Sequence, residues 1–203
     1  DNQPVLLQAA ELHYFRLPPD QWPQRLDLIQ RAGFNAVATY IPWLWHQPAQ
    51  NVFDFDGRTH PQRDLCGFLD LAAARGLWII ARPGPYIMAE TINEGVPPWV
   101  FESYPQVAVV DQHGQPQNIA SYLHPDFLAC AADWYRAVFR VLTPRQAPDG
   151  KIVLIQLDNE MGMMHWVRNM LDTNPDTLAR FAVWTQDRYV ADDLPAFLRA
   201  GLR

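Results

Sequence analysis

Ile152-Val153-Leu154-Ile155-Gln156-Leu157-Asp158-Asn159-Glu160-Met161-Gly162 reads as a β-rich run that ends in a cluster of carboxylates and an amide. Ile152–Leu157 is apolar at both odd and even positions, the pattern of a strand covered on both faces in a parallel sheet. Upstream the same unit recurs. A β-prone stretch over Val5–Leu12 leads to Pro19 and Asp20, which start a helix over about Gln21–Ala32 that Gly33 stops. Ala36–Ile41 is a second strand, Pro61–Arg75 a second helix closed by Gly76, and Leu77–Ala81 a third strand. After a long irregular region come a helix over Pro125–Leu142, the Ile152–Leu157 strand and a helix over Asp176–Tyr189 capped by Asn174.

Strands alternating with helices give an α/β class with parallel crossovers. None of the strands is followed by a Gly-rich phosphate loop, which disfavours a doubly wound nucleotide-binding sheet and favours a (β/α)8 TIM barrel. Such barrels need about 250 residues, so residues 1–203 are expected to be the first four βα units, the N-terminal half of a catalytic barrel truncated before its later strands.

Composition excludes several function classes. A net charge of -6 without a basic run disfavours nucleic acid or an anionic membrane surface as partner. No stretch is apolar for long enough to span a bilayer, and no basic-then-apolar signal pattern follows Asp1, although a leader already removed stays open. Cys66 and Cys130 lack metal-ligand spacing and read as small buried hydrophobes.

The chemistry sits after the strands. Glu11-Leu12-His13-Tyr14-Phe15-Arg16 follows the first, Thr39-Tyr40-Ile41-Pro42-Trp43-Leu44-Trp45-His46-Gln47-Pro48 the second, and Arg82-Pro83-Gly84-Pro85-Tyr86-Ile87-Met88-Ala89-Glu90 the third. In a barrel, loops at the C-terminal strand ends converge on one cleft. Aromatic rings with carboxylates and amides suit a sugar, which offers C–H faces for stacking and hydroxyls for hydrogen bonds. Trp99 and Trp166, in or beside loops, are candidates for such stacking, whereas Trp22, Trp78, Trp134 and Trp184 read as core.

Cleavage of a glycosidic bond needs a proton donor and, in retaining enzymes, a second carboxylate about 5–5.5 Å away as nucleophile. Glu160 suits the donor, because a carboxyl at the end of a buried strand is partly desolvated and so held protonated. Strict alternation would turn Asp158 and Glu160 away from Asn159, so joint action requires the strand to bend or end there. A structural reading competes, in which Glu160 pairs with Arg82 or His13. His13 and His46 read as hydrogen-bonded scaffold, and neither a metal nor a cofactor is expected.

Over most of residues 11–162 the chain resembles glycoside hydrolase family 35, the β-galactosidase family. The resemblance rests on His13-Tyr14; Thr39-Tyr40 with Trp43 and His46; Arg82-Pro83-Gly84-Pro85-Tyr86 with Ala89-Glu90; and Gln156 through Gly162. It implies that Glu160 is the catalytic acid/base, that Tyr40, Ala89, Glu90 and Asn159 hold the terminal sugar, and that the substrate is a β-galactoside cleaved at its non-reducing end. The family's Trp-Asn-x-His-Glu-Pro is Trp43-Leu44-Trp45-His46-Gln47-Pro48 here, and Thr91 and Glu94-Gly95 stand where it has Trp and Gly-Gly. Because these changes are expected near the sugar, a glucosamine- or arabinose-type substrate stays open. So do a family 42-like β-galactosidase and a non-catalytic carbohydrate-binding module, since a fold does not fix a function. In this family the nucleophile is a Glu on a later strand, so the segment alone is not expected to complete a double displacement.

Overall fold

The computed structural model describes residues 4–162 and 169–188. Four strands, β1 (Ala9–Glu11), β2 (Ala36–Tyr40), β3 (Trp78–Gly84) and β6 (Ile152–Leu157), form one parallel sheet in the order β1-β2-β3-β6. A separate antiparallel hairpin joins β4 (Ala108–Val110) to β5 (Pro116–Ala120). The helices are α1 (Trp22–Arg31), α2 (Trp43–His46), α3 (Leu65–Ala74), α4 (Pro98–Ser103), α5 (Pro125–Leu142) and α6 (Pro175–Arg188).

Local chemistry accounts for the element boundaries. Pro23 sits in the first turn of α1, where its missing N–H costs nothing, and Gly33 ends the segment at φ 89°. The expected helix over Pro61–Arg75 divides, because Asp64 adopts a non-helical conformation and its Oδ1 accepts the Gly67 N–H at 2.8 Å. A Cβ at Gly67 would lie 2.2 Å from that carboxylate, so only glycine fits under the cap. Leu65, Phe68, Leu69 and Ala72 then form the buried stripe of α3 at helical spacing.

Sheet burial is uneven. All of β2 is buried, whereas Leu154 and Leu157 on β6 are 51% and 57% exposed. The sheet is open, and β1 and β6 have no strand on their outer sides among the described residues. The strand expected over Val5–Leu12 shortens to β1: Val5 and Leu6 are exposed, and the Gln8 N–H goes to the Asn35 side chain instead of a ladder. Within the irregular region lies the hairpin, its turn tied by Asp111 Oδ1 accepting from His113 and Gln115 N–H groups, with Gly114 at φ 76°.

His46 is scaffold, fully buried between the Tyr14 hydroxyl at Nε2 and the Asp54 carbonyl, 2.6 Å from Nδ1. A carbonyl only accepts, so Nδ1 carries the proton and Nε2 accepts from Tyr14. Burial pushes the His46 imidazole down to about 4. Below its unfolded value near 6.5, the unfolded chain takes up a proton that the folded chain refuses, so stability falls as pH drops from about 6.5 to about 4. The full drop attributable to this ring is on the order of 3 kcal/mol. Urea midpoints measured at pH 7 and pH 4.5 are expected to show this loss, and His46→Gln to flatten it. An equal slope in the variant would remove His46 as its source.

Candidate active site

The sheet brings Glu11, Tyr40, Arg82 and Asn159, from the ends of all four strands, to one edge. Arg82 is the hub. It pairs with Glu11, its guanidinium carbon lies 3.9 Å from the centroid of the Tyr40 ring, and its Nη2 donates to Asn159 Oδ1 at 2.9 Å. The His13 ring stacks on that of Tyr40, with centroids 5.0 Å apart, and its Nε2 lies 3.7 Å from Glu11. Burial holds the His13 imidazole below its ordinary value, outweighing the pull of Glu11. The Tyr40 phenol is raised first by burial and then by the charges of Glu11, Glu160 and Glu90, with Arg82 opposing. Three carboxylates from separate segments of the chain therefore bear on one ring.

The β6 end is built from left-handed backbone. The Asp158 N–H donates to the Gly84 carbonyl at 2.8 Å, after which Asp158 and Glu160 take φ values of 61° and 52°. This break resolves the alternation problem, because the strand ends at Leu157 and the residues on either side of Asn159 are left-handed. The Asp158 carboxyl is raised by burial, against the Asn159 N–H that donates to its Oδ1 at 3.0 Å. Glu160 is exposed, which corrects the expected partial desolvation. A strand-end carboxylate is desolvated only if the neighbouring strand also covers it, and β6 is an edge. The competing Arg82–Glu160 pair is not the one formed, since Arg82 takes Glu11 and Asn159 instead.

The β3 loop turns through a run of left-handed residues, Met88, Ala89 and Glu90, followed by Asn93 and Glu94. Arg16 donates to the Ala89 carbonyl and so ties this loop to the one after β1. Ala89 is half-buried and Glu90 exposed, while Tyr86 is core, its hydroxyl bonded to the Ala120 backbone. Some sequence expectations move. Gln47 is 1% exposed, accepts the Trp43 indole N–H at 2.5 Å, and belongs to the core instead of the sugar's surroundings. Trp99 is also core, donating to the Gln47 carbonyl at 3.0 Å, and Trp166 lies outside the described residues. Trp184, expected in the core, is 46% exposed on α6.

The role of Arg82 was not legible in the sequence. Its partners Glu11 and Asn159 stand 71 and 77 residues away, and only the parallel register brings them together. The cluster offers an exposed carboxylate beside a fixed amide, with an arginine and a tyrosine next to them, groups able to hydrogen-bond hydroxyls.

The chain is 37% identical to an exo-beta-D-glucosaminidase of Thermococcus kodakarensis over 96% of its own length and 26% of that protein's. It is 36% identical to a beta-1,2-glucosyltransferase of Ignavibacterium album over 93% of its length and 27% of the relative's, and 34% identical to a mouse beta-galactosidase over 80% and 23%. It thus spans about a quarter of the length of these relatives. In fold it is similar to the crystal structure of beta-galactosidase from the psychrophilic Marinomonas ef1, with a TM-score of 0.68 over 91% of this chain and 26% of that one at 17% identity. The model of glycosyl hydrolases family 35 matches residues 1–191, and the chain belongs to that family.

Proposed function

We propose that the full-length protein is a retaining, exo-acting β-glycosidase that hydrolyses terminal non-reducing β-D-galactose, with Glu160 as acid/base. The observation that carries this is the β6 terminus, where Glu160 stands beside an Asn159 amide held by Arg82 and shares the electrostatic surroundings of Tyr40 with Glu11 and Glu90. In the first step Glu160 gives its proton to the glycosidic oxygen while a second carboxylate attacks the anomeric carbon. In the second, the Glu160 carboxylate takes a proton from water as that water displaces the enzyme carboxylate. Glu160 stands exposed at the open β6 edge, so the walls that keep bulk water from it belong to groups outside the described residues. The open, apolar edge of β6 supports a barrel completed by further strands.

Tyr40, Ala89, Glu90 and Asn159 are the proposed sugar ligands, with neither metal nor cofactor involved. A glucosaminidase reading has in its favour the names of two relatives, from Thermococcus kodakarensis and Pyrococcus horikoshii. The test is proton NMR of an aryl β-galactoside during turnover by the full-length protein. The β-anomer of galactose is expected to appear first, as two successive inversions require, and initial release of the α-anomer would reject the retaining mechanism.

A further inference from the structure

Asp158 is a half-buried carboxylate two residues before Glu160, and the double displacement gives it no task. Its backbone is left-handed, at φ 61°, and two bonds hold it there. Its N–H donates to the Gly84 carbonyl at 2.8 Å, and its Oδ1 accepts the Asn159 N–H at 3.0 Å. The second bond closes over the peptide that leads on to Glu160. A short side chain that bonds the neighbouring backbone is what opens the left-handed region to a residue other than glycine.

The Gly84 carbonyl is anchored in turn from α5. Tyr135 donates its hydroxyl to that oxygen at 2.6 Å, and the adjacent Trp134 donates its indole N–H to the Pro83 carbonyl at 2.8 Å. Both lone pairs of the Gly84 oxygen are thus used, one by α5 and one by the turn after β6. Three phenols surround the Asp158 carboxylate. Those of Tyr86, Tyr122 and Tyr135 are all raised, first by burial and with the Asp158 charge adding to it. Tyr86 spends its hydroxyl on the Ala120 backbone and Tyr135 on Gly84. The buried Tyr122 hydroxyl closes no hydrogen bond of full geometry among the described residues, and Asp158 is the charge that bears on it most.

Taking the proposed glycosidase reading as its basis, we infer that Asp158 is a positioning residue for the proton donor: its side-chain acceptor, together with Tyr135 acting through the Gly84 carbonyl, sets the turn from which Glu160 reaches the leaving oxygen. Glu160 is itself left-handed, at φ 52°, and exposed, so its placement depends on how the chain leaves β6. The required feature of Asp158 is an oxygen that accepts the Asn159 N–H, and its charge is secondary.

The test compares kcat/KM of the full-length protein for an alkyl and a dinitrophenyl β-galactoside. The alkyl-to-dinitrophenyl ratio is read on one protein sample, so any misfolded fraction of a variant cancels. Asp158→Ala removes the acceptor and is expected to lower the alkyl value about 100-fold, as a displaced catalytic group does, and the dinitrophenyl value by less than about fivefold. Asp158→Asn keeps an oxygen for the Asn159 N–H and tolerates the same backbone, and is expected to bring the ratio back to within about fivefold of the unsubstituted protein. Tyr135→Phe keeps the ring beside Phe139 and removes only the hydroxyl, and is expected to lower the ratio about tenfold. An unmoved ratio in Asp158→Ala or Tyr135→Phe would overturn the inference, as would an Asp158→Asn ratio as low as that of Asp158→Ala, which would make the charge the active feature. Each of these results leaves the glycosidase reading intact. Failure of the unsubstituted protein to cleave either galactoside would take that reading down, and the inference with it.

Discussion

Glu160→Gln in the full-length protein is expected to lower kcat/KM for an alkyl β-galactoside by about 1,000-fold, the usual contribution of a placed proton donor. An alkoxide is a poor leaving group and departs only if its oxygen is protonated as the bond breaks. For a dinitrophenyl glycoside, whose leaving group is already a stable anion, kcat/KM is expected to fall by less than about tenfold, because the first step no longer needs the acid. The contrast between the two substrates separates a proton donor from a residue that merely shapes the site, which would affect both alike. Glu160 is exposed and, among the described residues, the hydrogen bonds around Asn159 do not run through it, so the isosteric amide is expected to leave the thermal midpoint unchanged. Equal losses on both substrates would remove Glu160 from the acid role.

Much of the fold could be read in the sequence, and most of what could not depends on contacts between residues far apart in the chain. Gly33 and Gly76 marked the ends of helices because their left-handed φ is a local demand that glycine meets. The β2 run was legible because every one of its residues is buried. The left-handed turns at Asp158, Glu160 and Met88–Glu90 were not, since these residues carry no glycine signal and are held by bonds such as Asp158 N–H to Gly84 O and Arg16 to Ala89 O. Arg82 was visible as part of a motif, yet its function depends on register partners in β1 and just past β6. The β4–β5 hairpin was missed for a different reason. Its signal was present, in the short apolar, Val-rich run Ala108–Val110 before Asp111 and in the Gly114 turn, but was swallowed by the surrounding proline-rich region. Gln47 and Trp99 show the converse error, in which residues near a motif are taken for site residues although the fold turns them into the core.

The second large effect concerns the carboxylate that must attack the anomeric carbon. Glu11 is occupied by Arg82 and His13, and Asp158 is half-buried with an oxygen on its neighbour's N–H, so neither is free to act as nucleophile. Glu90 is exposed on the loop tied down by Arg16, and in the proposed site it binds the sugar. As the family resemblance implies, we propose that the attacking group lies outside residues 1–203, on a strand that continues the sheet past β6. Replacing that group is expected to abolish turnover, a larger loss than Glu160→Gln causes, because even a good leaving group needs an attacker.

The most direct measurement is a covalent trap. An aryl glycoside with fluorine at C2 and a good leaving group forms the glycosyl-enzyme faster than water can release it, and peptide mass spectrometry locates the labelled carboxylate. The label is expected on a Glu outside residues 1–203, with Glu160 unmodified. A label on Glu11, Glu90, Asp158 or Glu160 would contradict the assignment of this chain as the acid/base half of the site.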